Sequence, residues 1–336
     1  MEDPHGHRIS YLRISVTDRC NERCRYCMPQ EVQEWLPREG ILSYEEILRI
    51  TKVGASLGIK KIRVTGGEPL TRKDIVPFLE KLCAIEGIDE VGISTNGTLL
   101  SSEVKDREGK NMAESLKAAG LRTVNISLDT LDRAAYLAQT GRDYLQKALD
   151  GIDAARDAGF EKIKINSVLI KGTSEEQLIP LIDFARDRDL LLRFIELMPV
   201  TTEEMLHEDN FLSSGAAKKL VEQHYGSTLQ ARPDFRTNGP ASYFEIPESD
   251  QLVGFIGAMT NLHFCESCNK LRLTSDGKLR PCLGSYLEFD MMSVLRDGAT
   301  DEELAQFFKD VVDRKPLEHD FRNNYTPNRK MVAIGG

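Results

Sequence analysis

The sequence predicts an α/β fold built on a parallel sheet. Six short runs rich in β-branched residues alternate with amphipathic segments of helical spacing over the first 200 residues. Each helix must return the chain to the same end of the sheet, so neighbouring strands run parallel. The length of 336 residues suggests about two domains. Six βα units fit either an open sheet or an incomplete (βα)6 barrel, and both place the chemistry at the carboxyl ends of the strands.

The predicted elements follow one another at regular intervals. The strand runs are 12–16, 62–65, 91–94, 124–128, 163–170 and 190–197. Helices are predicted between them at 43–57, 72–85, 110–119, 132–158 and 174–188. Ser43 and Glu46 form the pattern of a capping box, which satisfies free backbone groups at the start of the first helix.

The alternation ends after about residue 200. A helix is predicted near 213–225, short strands at 243–246 and 251–256, and a closing helix at 301–313. We therefore predict a core over residues 4–225 and a C-terminal α+β extension over residues 226–336. The apolar runs are too short to span a bilayer and the N-terminus lacks the apolar stretch of a secretory signal, so we expect a cytoplasmic protein without membrane contact.

The charge balance argues against one class of partner. The chain carries 44 Lys and Arg against 53 Asp and Glu, which gives a net charge of −9. A protein that binds a nucleic-acid backbone needs a basic face, and the sequence has no run rich in Lys and Arg. Nucleic acid is therefore not expected as a partner, whereas a small anion held by a few bases is compatible with this composition.

Cysteines mark two candidate metal sites. Cys20, Cys24 and Cys27 directly follow the first predicted strand with the spacing C-x3-C-x2-C. In a reducing compartment, clustered cysteines indicate metal ligands before disulfides. Three thiolates can hold an iron–sulfur cube by three irons and leave the fourth iron open. The alternatives are a zinc site lacking one ligand and reduced structural cysteines.

A second trio lies near the end of the chain. Cys265, Cys268 and Cys282 have the spacing C-x2-C-x13-C. A zinc knuckle completed by His263 or Cys83 is one interpretation, and a second open-iron cluster is the other. Cys83 lies on the apolar face of a predicted helix, where we expect a buried core thiol.

The first trio, with Tyr26 before its last cysteine, resembles the signature of the radical S-adenosylmethionine (SAM) superfamily. The turn Gly66-Gly67-Glu68-Pro69 is similar to the SAM-binding turn of that superfamily, and its glycines would let the backbone approach a ligand. With the second trio and the terminal Gly335 and Gly336, the chain from about residue 8 resembles the GTP 3′,8-cyclase family of molybdenum cofactor biosynthesis.

This resemblance implies a fold, cofactors and a reaction. The fold is an incomplete (βα)6 TIM-like barrel whose C-terminal α+β extension carries a second cluster. The cofactors are SAM and two [4Fe-4S] clusters with three cysteine ligands each. The enzyme would be a lyase that removes the C3′ hydrogen of GTP and joins C3′ to guanine C8. Its implied partners are an electron donor and the synthase that forms cyclic pyranopterin monophosphate, and a homodimer is compatible with the family.

The resemblance also assigns roles to individual residues. It implies that GTP is bound by Arg13, Arg63, Ser94, Lys164, Lys270 and Arg272. It implies that SAM is lined by Tyr26, Gly67, Glu68, Ser127 and Met198. Arg13, Gly335 and Gly336 are the implied catalytic residues. Most of these bases lie in or at the ends of predicted strands, and we expect them to face one mouth of the barrel, where convergent cations suit a triphosphate.

Two other functions are compatible with the residues. One is a radical SAM enzyme that modifies a peptide with the help of the second cluster. The other is a non-catalytic interaction protein stabilised by zinc or a cluster. The number of basic residues in the predicted strands favours a nucleotide over a peptide.

Overall fold

The computed structural model describes residues 1–28, 34–105, 107, 109–205, 207–237, 239–247, 249, 251–323, 325–326 and 328–335. Its strands are β1 Tyr11–Ser15, β2 Lys61–Thr65, β3 Glu90–Thr95, β4 Thr123–Ser127, β5 Lys162–Leu169, β6 Leu191–Glu196, β7 Gln230–Ala231, β8 Ser242–Ile246, β9 Gln251–Ile256, β10 Lys270–Leu273, β11 Lys278–Arg280 and β12 Phe289–Asp290. Its α-helices are α1 Tyr44–Ser56, α2 Ile75–Cys83, α3 Met112–Ala118, α4 Arg133–Thr140, α5 Leu145–Asp157, α6 Leu178–Arg186, α7 Ser214–Tyr225, α8 Met291–Arg296, α9 Asp301–Val312 and α10 Met331–Ile334.

All these strands belong to one sheet, in the order β12-β11-β10-β1-β2-β3-β4-β5-β6-β9-β8-β7. Strands β1 to β6 are parallel neighbours, as the alternation of strands and helices predicts. The C-terminal part adds β10 parallel to β1 at one edge and β9 parallel to β6 at the other. The parallel part of the sheet therefore has eight strands, of which the outer two come from beyond residue 250.

The sheet curls into a partial barrel. One cavity is lined by Lys270 and Arg272 of β10 and also by Tyr243 and Ile256, which lie near the opposite edge. The connection over residues 257–269 leads from the carboxyl end of β9 to the amino end of β10. It crosses from one edge of the parallel sheet to the other, and several of its residues line the cavity. The α/β class and the barrel architecture are confirmed.

The apolar core lies between the outer face of the barrel and the helices. Leu12 and Ile14 of β1 are fully buried and pack in the same cluster as Ile47 and Ile50 of α1. Successive residues of a strand point to opposite faces, so the residues between them point into the barrel. The helix α1 begins with the predicted capping box, in which Ser43 Oγ accepts from the amide of Glu46 at 3.1 Å.

Three features of the fold differ from the sequence prediction. The single helix predicted over 132–158 is wrong, because Gly141 adopts a φ of +66° and ends α4 before α5 begins. The thiol of Cys83 is half-buried and packs against the core beside Gly120. Strands β10 to β12 and helix α8 have no counterpart in the prediction.

Among the described residues, no helix is both long enough and apolar enough to cross a membrane.

Candidate active site

The inward face of the barrel carries a cluster of bases around a cavity of about 910 Å³. Five of the six residues predicted to bind GTP line this cavity. They are Arg13, Arg63, Lys164, Lys270 and Arg272, and Arg193 of β6 joins them. Ser94, although half-buried on β3, is not among the described lining residues. The interior of this acidic protein is therefore basic.

Strand register explains why the bases converge. Arg13 pairs with Arg272 on one side and with Arg63 on the other, so three guanidinium groups lie in one row across β10, β1 and β2. Like charges directly opposite one another on one face of a sheet are destabilising. A bound anion would offset this repulsion, which favours an anionic ligand in the cavity.

The bases converge on one cavity, as expected of groups that face a common space, and they reach it from the wall of the barrel. Arg13 and Arg63 are central residues of their five-residue strands, so they project from the wall of the barrel. Arg193 and Lys164 are likewise inside strands and are buried. The physical reason is the two-residue period of a strand, which turns every second side chain inward along its whole length.

Burial weakens the positive charge of Lys164. Its side chain is 2% exposed, and burial together with the charges of Arg193 and Arg63 lowers the pKa of the Lys164 ammonium to about 7. Burial also lowers the pKa of Arg272, and the neighbouring charge of Arg13 lowers it further. An anion placed among these groups would restore the charged form of Lys164.

Arg63 is held firmly by the barrel itself. Its Nε donates to Tyr11 Oη at 3.2 Å, and its Nη1 donates to the carbonyl oxygen of Ile93 at 3.1 Å. Its Nη2 donates to Thr123 Oγ1 at 3.0 Å. Because these bonds use most of its donors, Arg63 contributes mainly a fixed positive charge to the cavity.

Arg193 is a candidate site residue that the sequence reasoning missed. It is 5% exposed and donates from Nε and Nη2 to Asn166 Oδ1, at 2.9 and 2.6 Å. It lies between the buried apolar residues Leu192 and Phe194. A charged residue between two apolar residues of a predicted buried strand is the signal that could have found it.

The first cysteine trio follows the carboxyl end of β1. Burial raises the pKa of the Cys24 thiol well above its usual range, and the neighbouring Glu22, Cys27 and Cys20 raise it further. Burial also raises the pKa of the Cys27 thiol to about 12. The three half-buried thiols share one loop, and a metal bound there would favour the thiolate forms over the neutral thiols.

The turn that contains Gly67 supports this cysteine loop. The amide of Gly67 donates to the carbonyl oxygen of Thr17 at 2.7 Å, and the amide of Glu68 donates to that of Arg19 at 2.8 Å. A Cβ atom on Gly67 would lie 2.3 Å from the Arg19 carbonyl oxygen. The expectation that the glycines serve close approach to a ligand is therefore incomplete, since they also let two backbone segments pack together.

Glu68 joins the turn to the next strand. Its buried carboxylate accepts from Thr95 Oγ1 at 2.8 Å, from the amide of Asn96 at 2.8 Å and from the amide of Leu70 at 3.0 Å. Burial raises the pKa of this carboxyl to about 7. Asn96 also donates to Asn21 Oδ1 at 2.8 Å. Glu68 and Asn96 thus hold the cysteine loop at the carboxyl ends of β2 and β3.

The other predicted SAM-lining residues lie in different settings. Tyr26 Oη donates to Asp129 Oδ2 at 2.9 Å, and Asp129 is buried and also accepts from Gln139 at 2.8 Å. Ser127 is exposed at the end of β4. Met198 follows β6 and lines the cavity.

The second cysteine trio lies at the amino end of the barrel strands. Cys268 precedes β10, whose first residue Lys270 pairs with Tyr11 at the start of β1. Cys282 follows β11, which runs antiparallel to β10. Cys265, Cys268 and Cys282 all line the cavity. The two trios are therefore at opposite ends of the barrel, with the row of bases between them.

The structure does not support the zinc knuckle proposed for the second trio. His263 is largely exposed, and its Nδ1 contacts Glu266 Oε1 at 2.5 Å. Cys83 packs against the core near Gly120. In the part of the chain that the structure describes, no group of three or more His, Cys, Asp or Glu side chains is arranged to hold a single metal ion, and this applies to both cysteine trios.

The C-terminal tail enters the barrel. Gly335 is buried, has a φ of +85°, and packs so closely that a Cβ atom would lie 2.8 Å from Thr65 Cγ2 and 2.9 Å from Ser15 Cβ. Arg272 Nη1 donates to the Gly335 carbonyl oxygen at 2.9 Å. Gly336, the other predicted catalytic glycine, lies outside the described residues.

Comparison with known proteins identifies the family. A family profile described as "Radical SAM superfamily" matches residues 14–185, and one described as "Molybdenum Cofactor Synthesis C" matches residues 190–321. The GTP 3′,8-cyclase of Thermodesulfovibrio yellowstonii is 42% identical over 337 residues, which cover 100% of both chains. The chain belongs to the GTP 3′,8-cyclase family. The enzyme of the same name from Moorella thermoacetica is 43% identical over 341 residues, again covering 100% of both chains.

Solved structures match the fold of this family member. SuiB from Streptococcus suis bound to its precursor peptide SuiA aligns with a TM-score of 0.62 and 20% identity, over 98% of this chain and 70% of SuiB. SuiB bound to S-adenosylmethionine aligns with a TM-score of 0.58 and 18% identity, over 90% of this chain and 69% of SuiB. At these identities the likeness concerns the fold alone.

Membership in the radical SAM superfamily implies a [4Fe-4S] cluster and SAM. The first trio fits this cofactor by its donor set, because it offers three half-buried free thiols in the loop that follows the carboxyl end of β1. A cluster held by three thiolates keeps one iron free of protein ligands, as chelation of SAM requires.

Proposed function

We propose that this protein is a radical SAM lyase that cyclises GTP to (8S)-3′,8-cyclo-7,8-dihydroguanosine 5′-triphosphate, the first step of molybdenum cofactor biosynthesis. The observation that carries the proposal is the row formed by Arg272, Arg13 and Arg63 inside a cavity that the second cysteine trio also lines. Full-length relatives named GTP 3′,8-cyclase support the same conclusion. A triphosphate is the kind of anion that so many convergent bases suit.

The substrate is bound by the bases of the barrel wall. Arg13, Lys164, Lys270 and Arg272 hold the triphosphate, together with Arg193, while Arg63 adds a fixed charge. Arg272 also contacts the tail through Gly335. Ser94 is half-buried on β3 and pairs with Asn125, which lines the cavity. The Ser94 hydroxyl would contact a part of GTP that extends toward β3.

SAM and its cluster occupy the carboxyl end of the barrel. Cys20, Cys24 and Cys27 hold the cluster, and the SAM contacts are Tyr26, Gly67, Glu68, Ser127 and Met198. When bound, the cluster and SAM supply the hydrogen abstraction from the ribose. The chain orients this site: Asp129 fixes the Tyr26 hydroxyl, and Glu68 ties the SAM-binding turn to Asn96.

A second [4Fe-4S] cluster is held by Cys265, Cys268 and Cys282. These residues suit a cluster because they offer three thiols, and all three cysteines line the same cavity as the bases. With three ligands, one iron would remain open to the guanine of GTP.

The boundary between a core of residues 4–225 and an extension of residues 226–336 stays a prediction, because β9 and β10 of the extension complete the sheet of the core.

The tail acts as a catalytic element. Gly335 lies against Ser15 and Thr65, which follow the bases along β1 and β2. Arg13, Gly335 and Gly336 would hold the reacting nucleotide and exclude water from it.

The proposed partners are an electron donor and the downstream cyclic pyranopterin monophosphate synthase, and nucleic acid has no role. We also propose a cytoplasmic location, and a homodimer is compatible with the family.

The test is anaerobic reconstitution followed by iron and sulfide counting and incubation with SAM, reductant and GTP. We expect about eight irons per chain, release of 5′-deoxyadenosine that depends on GTP, and a cyclised nucleotide. About four irons with one zinc, or release of 5′-deoxyadenosine indifferent to GTP, would contradict the proposal. Peptide modification and a non-catalytic role are not favoured, because the full-length relatives are named as GTP cyclases.

A further inference from the structure

Lys315 carries a buried charge that the proposed chemistry leaves without a role. The residue is 4% exposed, and its Nζ donates to the carbonyl oxygen of Lys270 at 3.1 Å and to that of Pro281. Both acceptors are neutral. No carboxylate lies within ion-pair distance of it in the described part of the chain. A buried ammonium without a negative partner is costly, so a counter-charge is expected nearby.

The second cysteine trio is the source of that counter-charge. Lys270 lies two residues after Cys268, and Pro281 directly precedes Cys282, so one ammonium joins the two segments that carry these thiols. Thiolates on these two segments would supply the negative charge that Lys315 lacks among its hydrogen-bond partners.

The position of Lys315 separates it from the substrate. Lys270 and Arg272 line the cavity, whereas Lys315 is not among its described lining residues. Arg272 is already bonded to Gly335, and Lys270 Nζ contacts Asn269 Oδ1 at 3.3 Å. Lys315 therefore contacts the backbone of two cavity-lining segments without being among the described lining residues itself.

We propose that Lys315 is the counter-ion of the second iron–sulfur cluster, holding its two cysteine-bearing segments together and balancing its negative charge. This inference rests on the proposed function. When one electron enters the oxidised cluster from a reductant, no bond is made or broken and the net charge falls by one. A fixed positive charge stabilises the reduced form more than the oxidised form, so Lys315 raises the reduction potential.

The experiment uses the full chain with Cys20, Cys24 and Cys27 replaced by serine, so that only the second cluster can form. Lys315→Met is compared with this parent by counting iron and by a reductive titration with dithionite followed by electron paramagnetic resonance. We expect about four irons in the parent. In Lys315→Met we expect a lower reduction potential and a several-fold faster loss of iron to a chelator.

Three further variants separate charge from packing. Lys315→Arg keeps the charge and should keep the potential of the parent. Lys315→Gln keeps a donor for the two carbonyl groups but not the charge, so it should show the lower reduction potential and faster iron loss expected of Lys315→Met. It provides the same test if Lys315→Met fails to fold. Lys309→Met makes the same chemical change at an exposed site on α9 and should change neither readout.

The outcomes distinguish this inference from the proposed function. A parent without iron would overturn both the second cluster and the role of Lys315. A parent with about four irons whose potential and iron retention are unchanged in Lys315→Met and Lys315→Gln would overturn the role of Lys315 alone.

Discussion

Arg272 Nη1 donates to the carbonyl oxygen of Gly335 at 2.9 Å, which joins a base of the barrel wall to the end of the chain. Arg272 pairs with Arg13 across β10 and β1, so the tail is anchored within the row of bases. The same guanidinium that would bind a phosphate therefore also positions the tail. Arg272 thus links the wall of the cavity to the C-terminal tail.

We expect Gly335→Ala to lower the rate of product formation at least about tenfold with little change in iron content, because the left-handed backbone and the contacts with Thr65 and Ser15 leave no room for a Cβ atom. Product and iron are measured on the same preparation. The control is Gly298→Ala, which has a φ of +92° but no neighbouring atom within 4 Å. Equal rates in the two variants would show that tail placement is not required.

The tail is also held by charges outside the cavity. Arg329 donates to Asp276 Oδ2 at 2.8 Å and to Glu288 Oε2 at 2.9 Å, and Glu288 also pairs with the fully buried Arg280. Arg329→Gln should make the C-terminus susceptible to carboxypeptidase and should lower product formation. The GTP affinity should stay within about twofold of that of the unsubstituted protein, because the bases of the cavity remain. The exposed pair Arg133–Asp143 supplies the control Arg133→Gln. A terminus as resistant as in the control would contradict this anchoring role.

GTP binding should take up a proton at Lys164. The pKa of the free ammonium is about 7, so the side chain is mostly neutral at pH 8, and a triphosphate favours the charged form. Affinity should weaken by up to about tenfold per pH unit above 7, and the binding enthalpy measured by calorimetry should depend on the ionisation enthalpy of the buffer.

The reference for this effect is Lys164→Arg, which stays charged over the whole range. The terminal phosphate of GTP titrates near pH 6 and affects both proteins alike, so the ratio of their dissociation constants isolates Lys164. A ratio that is independent of pH between 6 and 9 would show that Lys164 does not change its charge on binding.

Gly67→Ala should disrupt the first cysteine loop. The added Cβ atom would lie 2.3 Å from the Arg19 carbonyl oxygen, directly before Cys20, and backbone cannot yield as a flexible side chain does. About four of about eight irons should be lost, along with SAM cleavage. Gly215→Ala on α7 has open space around it and should keep all the iron. Full iron loading of Gly67→Ala would contradict the supporting role of this turn.

Much of this site could be predicted because it depends on local patterns. The sequence shows the spacing of the cysteines directly. It also shows Arg13 between the apolar residues Leu12 and Ile14, which predicts that Arg13 points to the opposite face of the strand. The pairing of Lys270 with Tyr11 is not, since strand partners distant in sequence are chosen by tertiary packing. For the same reason the sequence did not show that the two cysteine trios lie at opposite ends of the barrel, or that Arg193 joins the bases.

If this chain removes the C3′ hydrogen of GTP, that hydrogen passes to 5′-deoxyadenosine, where an isotope label makes it visible. The reconstituted protein is incubated with SAM, reductant and GTP carrying deuterium at C3′, and the released 5′-deoxyadenosine is analysed by mass spectrometry. The account predicts one deuterium in the 5′-deoxyadenosine and a cyclised nucleotide that has lost it. Undeuterated 5′-deoxyadenosine beside unchanged GTP would contradict the account.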